Sequence, residues 1–162
     1  MKTNALGRIF IGTAVAAVIC TGLALATTGS GTTSTLTGPP VTYEPFKVKR
    51  DAVDGWKVKI DANDGLTIAT QTITFQPGGQ SGWHSHPGPV FISVKEGTMT
   101  FYDENCNATV MTAGQGFLDA GDDAHLARNE SSAPATNVVT YFAPPHTTIL
   151  RIDAPQPSTC RM

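Results

Sequence analysis

Helical periodicity is almost absent from this chain after residue 40, and no cluster of basic residues follows the N-terminal segment. Without apolar side chains recurring at three- and four-residue intervals, a helical fold is excluded as the reading. Lys and Arg number 11 against 13 Asp and Glu, a formal net charge of −2, which argues against nucleic acid as a partner. No internal repeat is present. Cysteine is limited to three residues and histidine to four, so each one carries weight. The N-terminus lacks a twin-arginine pair.

That N-terminus begins with Lys2 and Arg8, followed by an apolar stretch from Ile9 to Ala26 that ends in Ala24-Leu25-Ala26. The pattern is that of a secretory signal peptide, residues 1–26, cleaved near Ala26-Thr27. At about 18 residues the stretch is barely long enough to span a bilayer, so an uncleaved anchor is the competing reading. Cys20 does not suit lipid modification, because Ile19 stands where a small residue is needed. Cleavage removes Lys2, Arg8 and Cys20. The mature chain is then near −4, has no stable membrane span, and is expected to be secreted, in a periplasm or outside the cell. Cys106 and Cys160 remain, and in an oxidising compartment a disulfide is favoured over two free thiols.

Residues 27–40 are Thr, Gly, Ser and Pro with almost no large apolar side chain, and read as a flexible linker. The folded domain is expected over residues 41–153, with a C-terminal tail over 154–162. About 110 residues suffice for one modest core. Within it, short alternating segments recur: Trp56–Asp61, Leu66–Phe75, Val90–Val94, Thr98–Tyr102, Ala108–Thr112, Gly116–Asp119, His125–Asn129, Asn137–Phe142 and Thr147–Ile152. Turn residues fill the gaps, among them Pro77-Gly78-Gly79, Pro87-Gly88-Pro89, Lys95-Glu96-Gly97, Gly121-Asp122-Asp123 and Pro144-Pro145. Many short strands with evenly spaced turns imply an all-β sandwich or barrel, and an antiparallel jelly roll is the best single expectation.

His84 and His86 lie two apart in Trp83-His84-Ser85-His86. On a strand such residues share a face and start roughly 6.6 Å apart, close enough for both imidazoles to meet on one ion at about 2.0–2.2 Å. The pair alone is a weak signal, since two surface histidines give the same pattern. Its surroundings strengthen it. Gly78, five residues, His84-Ser85-His86 and Gly97 resemble the first motif of the cupin family. Gly114, His125 and Asn129 resemble the second, with Ala120 where proline is usual and Asp122 where glycine is usual, Gly121 standing one place early.

The resemblance implies an antiparallel double-stranded β-helix, the jelly roll or cupin barrel, holding a divalent metal through His84, His86 and His125. Cupins commonly add a glutamate four or five residues after the second histidine, and this chain has Val90 and Phe91 there. Glu96 is not at the matching position. The expected site is therefore a neutral three-histidine face. His146 has no motif around it and reads as a loop histidine. Trp83 should face away from His84, Asn129 should serve strand packing or hydrogen bonding, and Asp119, Asp122 and Asp123 read as loop carboxylates.

Three imidazoles leave positions open on the ion, the layout of a reactive rather than a structural centre. The ion is Zn, Mn, Cu, Ni or Fe, with loading outside the membrane counting against Fe²⁺. Two readings of function stay open. One is a metal-dependent enzyme, oxygenase-like or hydrolase/isomerase-like, on a small molecule. The other is a non-catalytic module that binds a small ligand or metal. No catalytic residue is assignable from sequence. The resemblance also implies a possible homodimer.

Overall fold

The computed structural model describes residues 27–51 and 53–160; the expected signal peptide lies outside the described residues. Among these residues thirteen strands follow one another: β1 Ser30–Leu36, β2 Val41–Tyr43, β3 Phe46–Asp51, β4 Lys57–Ala62, β5 Leu66–Gln80, β6 His84–Ser85, β7 Val90–Glu96, β8 Thr98–Tyr102, β9 Ala108–Thr112, β10 Gly116–Asp119, β11 Leu126–Arg128, β12 Ala135–Ala143 and β13 Ile152–Asp153. Among the described residues the only helical element is a 3₁₀ turn at Val53–Gly55. All strand pairings are antiparallel, and the main sheet runs β10-β7-β12-β5-β11-β8-β9. This sheet curls into a nearly closed barrel, the antiparallel double-stranded β-helix expected from the sequence. Closure leaves few unpaired strand edges.

The long strand β5 makes the curl possible. Over Thr67–Phe75 it pairs with β12, from Ala143↔Thr67 to Ala135↔Phe75, and at Gln80 it pairs with Arg128 of β11. The change of partner falls at Pro77-Gly78-Gly79, where Pro77 has no N–H to give and Gly78 adopts φ 76°. These residues were expected to form a turn; they form a corner inside the strand instead. A side chain at Gly79 would put its Cβ 2.5 Å from the Gly31 carbonyl oxygen, so the glycine also admits β1.

Alternation sets the core. Along β12, Asn137, Val139, Tyr141 and Ala143 point inward; along β7, Val90, Ile92 and Val94 do. Val139 and Tyr141 of the first strand and all three of the second meet Phe75, Met99, Phe101 and Ala127 in one apolar cluster. Burying each of the larger side chains stabilises the fold by about 1.5–3 kcal/mol. A second cluster forms around Trp83, Leu126 and Cys160, all about 1% exposed. The Cys106–Cys160 disulfide, with Cα atoms 5.0 Å apart, ties the C-terminal segment to this cluster.

Three segments differ from the sequence expectations. Residues 27–40, read as a flexible linker, contain β1, which pairs with β5 from Thr32↔Phe75 to Leu36↔Gln71. Every residue of β1 is exposed, so backbone pairing rather than burial holds it. Trp56–Asp61, read as a half-buried strand, lies largely in β4, which pairs only with β3 in a separate and mostly exposed hairpin. Thr147–Ile152 yields only the two-residue β13, which pairs with β6.

Candidate metal centre

The site is built at the backbone before any side chain is considered. His84 and His125 exchange both main-chain hydrogen bonds, His84 N–H to His125 O at 3.0 Å and His125 N–H to His84 O at 2.9 Å. Residues in such a reciprocal pair project to the same face. His86, two residues on, shares that face, and its N–H donates to the Gly121 carbonyl at 2.9 Å. Gly121 adopts φ 107°, and its ideal Cβ would sit 2.5 Å from the Gly88 oxygen. The glycine that stands one place early in the sequence is thus the residue this turn requires.

The three rings cluster tightly. Centroids lie 4.3 Å apart for His84–His125, 4.8 Å for His84–His86 and 5.0 Å for His86–His125. One nitrogen from each falls within 4.8 Å of the others. Two imidazoles on one ion have their nitrogens no more than about 4.2 Å apart, so a small ring movement suffices to close the set on a cation.

Each ring has its Nδ1 committed elsewhere. His84 Nδ1 donates to Gly82 O at 2.9 Å and His86 Nδ1 to Leu150 O at 2.7 Å. His125 Nδ1 lies 2.9 Å from the Asp119 carboxylate, with Asp123 O at 3.3 Å. Carbonyls only accept, so a proton on Nδ1 leaves the Nε2 lone pair free. Outer hydrogen bonds of this kind are what orient metal-ligating histidines. Electrostatics favour the neutral form of His84 and His86. Burial drives the His84 pKa down to about 2, aided by the positive potential of His125 and Arg151 and opposed by the Gly82 carbonyl. Burial also lowers His86, against the pull of its bond to Leu150. Burial would raise Asp119, but the hydrogen bond and charge of His125 and the Gly121 N–H outweigh it and hold the carboxyl below its usual range. The donor set fits a divalent ion: three imidazole nitrogens, with one carboxylate behind them.

His84, His86 and His125 are brought together; the other candidates are not. Val90 is fully buried in the core, and Phe91 lies on the outer face against Phe142, so neither replaces the family's glutamate. Glu96 is exposed and pairs with Lys95. His146 is exposed, outside the cluster. Trp83 is packed in the second apolar cluster. Asn129 is fully buried and serves the fold: its amide donates to Phe75 O and Ala133 O and accepts from Ser131. Asp122 and Asp123 have exposed side chains, whereas Asp119 is half-buried against His125.

Sequence reasoning passed over Asn137 and Tyr141. Both line a cavity of about 40 Å³ inside the barrel whose wall includes all three histidines. Tyr141 OH donates to Gln71 at 2.9 Å, and burial pushes its pKa up to about 12. Asn137 is 2% exposed, and its Oδ1 has no hydrogen-bond partner among the described residues. The alternation of residues 137–142 puts Asn137 and Tyr141 on one face with Val139, a signal legible in advance. Two clefts reach the site from outside. One, of about 560 Å³, touches His84 and His86 beside Arg151; the other, of about 320 Å³, touches His125 and Asp119.

Residues 71–141 match the family model described as a cupin domain. No curated protein matches the sequence. Among solved structures, the cupin domain of an XRE family transcriptional regulator from Enterobacter cloacae is 24% identical, covering 49% of this chain and 83% of that one at a TM-score of 0.42. A cupin-superfamily sugar phosphate isomerase from Silicibacter pomeroyi is 28% identical at a TM-score of 0.41; the likeness covers 45% of this chain and 48% of the isomerase, about half its length. A polyketide cyclase from Streptomyces resistomycificus is 13% identical, covering 57% of this chain and 65% of that one at a TM-score of 0.46.

Proposed function

We propose that this chain, which the cupin domain model matches over residues 71–141, holds one divalent metal ion on His84, His86 and His125 and offers it to a small molecule. The observation that supports this reading is the clustering of three rings whose Nδ1 atoms are all engaged, with one nitrogen from each within 4.8 Å of the others. A bound ion would supply Lewis acidity, polarising a coordinated oxygen of the small molecule. The chain's own residues do the rest. The apolar wall of Ile73, Phe75, Ile92 and Phe101 limits water in the inner cavity, and Asn137 offers the open hydrogen-bonding capacity there.

We read the site as that of a metal-dependent enzyme of small-molecule chemistry, oxygenase-like or hydrolase/isomerase-like. A non-catalytic ligand- or metal-binding module is the second reading. It is favoured by the commitment of the obvious proton carriers, Tyr141 to Gln71 and Asp119 to His125 and Gly121. The ion is one of Zn, Mn, Cu, Ni or Fe. Export through the N-terminal segment accords with the disulfide, which suits an oxidising compartment.

Metal analysis of the protein recovered from its native compartment is expected to give one equivalent of a divalent ion, and His125→Ala far less. A metal content below 0.1 equivalent in both (about the background of such an analysis), with no uptake on titration with Zn²⁺ or Mn²⁺ up to about 1 mM, counts against the centre. Oxygen consumption and model-ester cleavage by the loaded protein and by His125→Ala separate the two readings.

A further inference from the structure

The three histidines are not equivalent in what stands behind them. His84 and His86 lean on neutral carbonyls, Gly82 and Leu150. His125 alone leans on a carboxylate, Asp119 Oδ2 at 2.9 Å, and both side chains are shielded, 14% and 12% exposed. The carboxylate is itself clamped, its Oδ1 accepting the Gly121 N–H. Its place is fixed by sheet register, since Asp119 lies directly across from Val90 in the β10–β7 pair. The other acids nearby, Asp122 and Asp123, have exposed side chains, and Asp123 reaches His125 only through its backbone oxygen.

We infer that Asp119 is a positioning residue of the metal site: through His125 it fixes one ring and gives the neutral three-histidine face the negative charge it otherwise lacks. The inference rests on the metal reading above and says how the face is tuned. A carboxylate accepting from Nδ1 raises the electron density at Nε2, so His125 is the strongest donor of the three, and part of the ion's charge is balanced without filling a coordination position. The open positions stay open, and a ligand meets a centre less positive than three bare imidazoles would hold.

The test is Co²⁺ titration of the full chain, followed by the visible d–d spectrum and by competition with a chelator, for wild type, Asp119→Asn, Asp119→Ala and Asp123→Asn. Asparagine keeps the shape but has one acceptor oxygen for two N–H donors, His125 and Gly121. Affinity is expected to fall about 10-fold in Asp119→Asn and up to about 100-fold in Asp119→Ala, with a shifted d–d band in both and no change in Asp123→Asn. Urea midpoints in chelator show which variants are folded; the near-isosteric Asp119→Asn carries the result should Asp119→Ala unfold. Wild type that binds Co²⁺ and a folded Asp119→Asn within twofold of it, with the same spectrum, overturns the inference and leaves the metal reading standing. Wild type that binds no Co²⁺ removes both.

Discussion

Acidifying the metal-free protein from pH 7 to pH 5 should destabilise it through the buried histidines of the site. Unfolded, His84 takes up a proton near its ordinary value of 6.5; folded, burial keeps it neutral down to about pH 2. A group whose folded pKa is depressed binds fewer protons in the native state, so stability rises with pH across that window and is lost as pH falls through 6.5. Each pH unit costs about 1.4 kcal/mol per withheld proton, so His84 alone removes about 2 kcal/mol at pH 5. His86, also lowered by burial, steepens the slope. A small domain has about 5–15 kcal/mol in total, so the loss is a large fraction of it. Asp119 adds a further loss only below its unfolded value of 3.8, outside the range used. The assay is urea unfolding of chelator-treated protein at pH 7, 6, 5.5 and 5, beside His84→Gln, which cannot take up that proton. Wild type should lose stability steadily below pH 6.5 and the variant should lose less. A midpoint that stays flat from pH 7 to 5, or an equal slope in the variant, refutes the argument that burial holds His84 neutral.

Replacing Cys106 and Cys160 together by serine opens a loop whose ends are 54 residues apart in sequence and should cost up to about 4 kcal/mol by the chain-entropy model, read as a fall in the urea midpoint under non-reducing conditions. Gly121→Ala forces a side chain into a left-handed backbone 2.5 Å from the Gly88 oxygen; a loss of about 1–3 kcal/mol with weakened metal binding is expected, and an unchanged melting curve would contradict it. Excess Zn²⁺ should raise the melting temperature at pH 7.5, with a stabilisation of about 2.7 kcal/mol at 100 times the dissociation constant, and His125→Ala should abolish the shift.

Thr98–Tyr102, Ala108–Thr112 and Gly116–Asp119 were legible from sequence to the residue, because each alternates and is closed by its own turn residues. β1 was not, since its Thr and Ser side chains bury nothing; it exists because the flank of β5 offers backbone partners, which no local pattern records. The last expected strand, Thr147–Ile152, shrank to Ile152–Asp153 because only β6, two residues long, remained to pair with it. At the site the three histidines were readable from motif spacing. Asp119 read as a loop carboxylate because its meaning lies in register: the pairing of β10 with β7 carries it to His125. Asn137 was hidden in a run of ordinary strand residues, and its lack of a partner is visible only once the barrel closes around it.

The strand that carries His84 has company on both sides. His125 flanks it on one, and on the other the C-terminal segment runs past it, with Asp153 opposite His84 and Ala154 N–H bonded to Trp83 O. That outer flank is moored by one cystine at residue 160. The far end of the polypeptide is thereby a splint for the strand that carries His84, and on the proposed metal reading a reductant that touches no histidine should still speed the escape of a bound ion. Zinc release into a coloured chelator, timed with and without dithiothreitol, would register the difference.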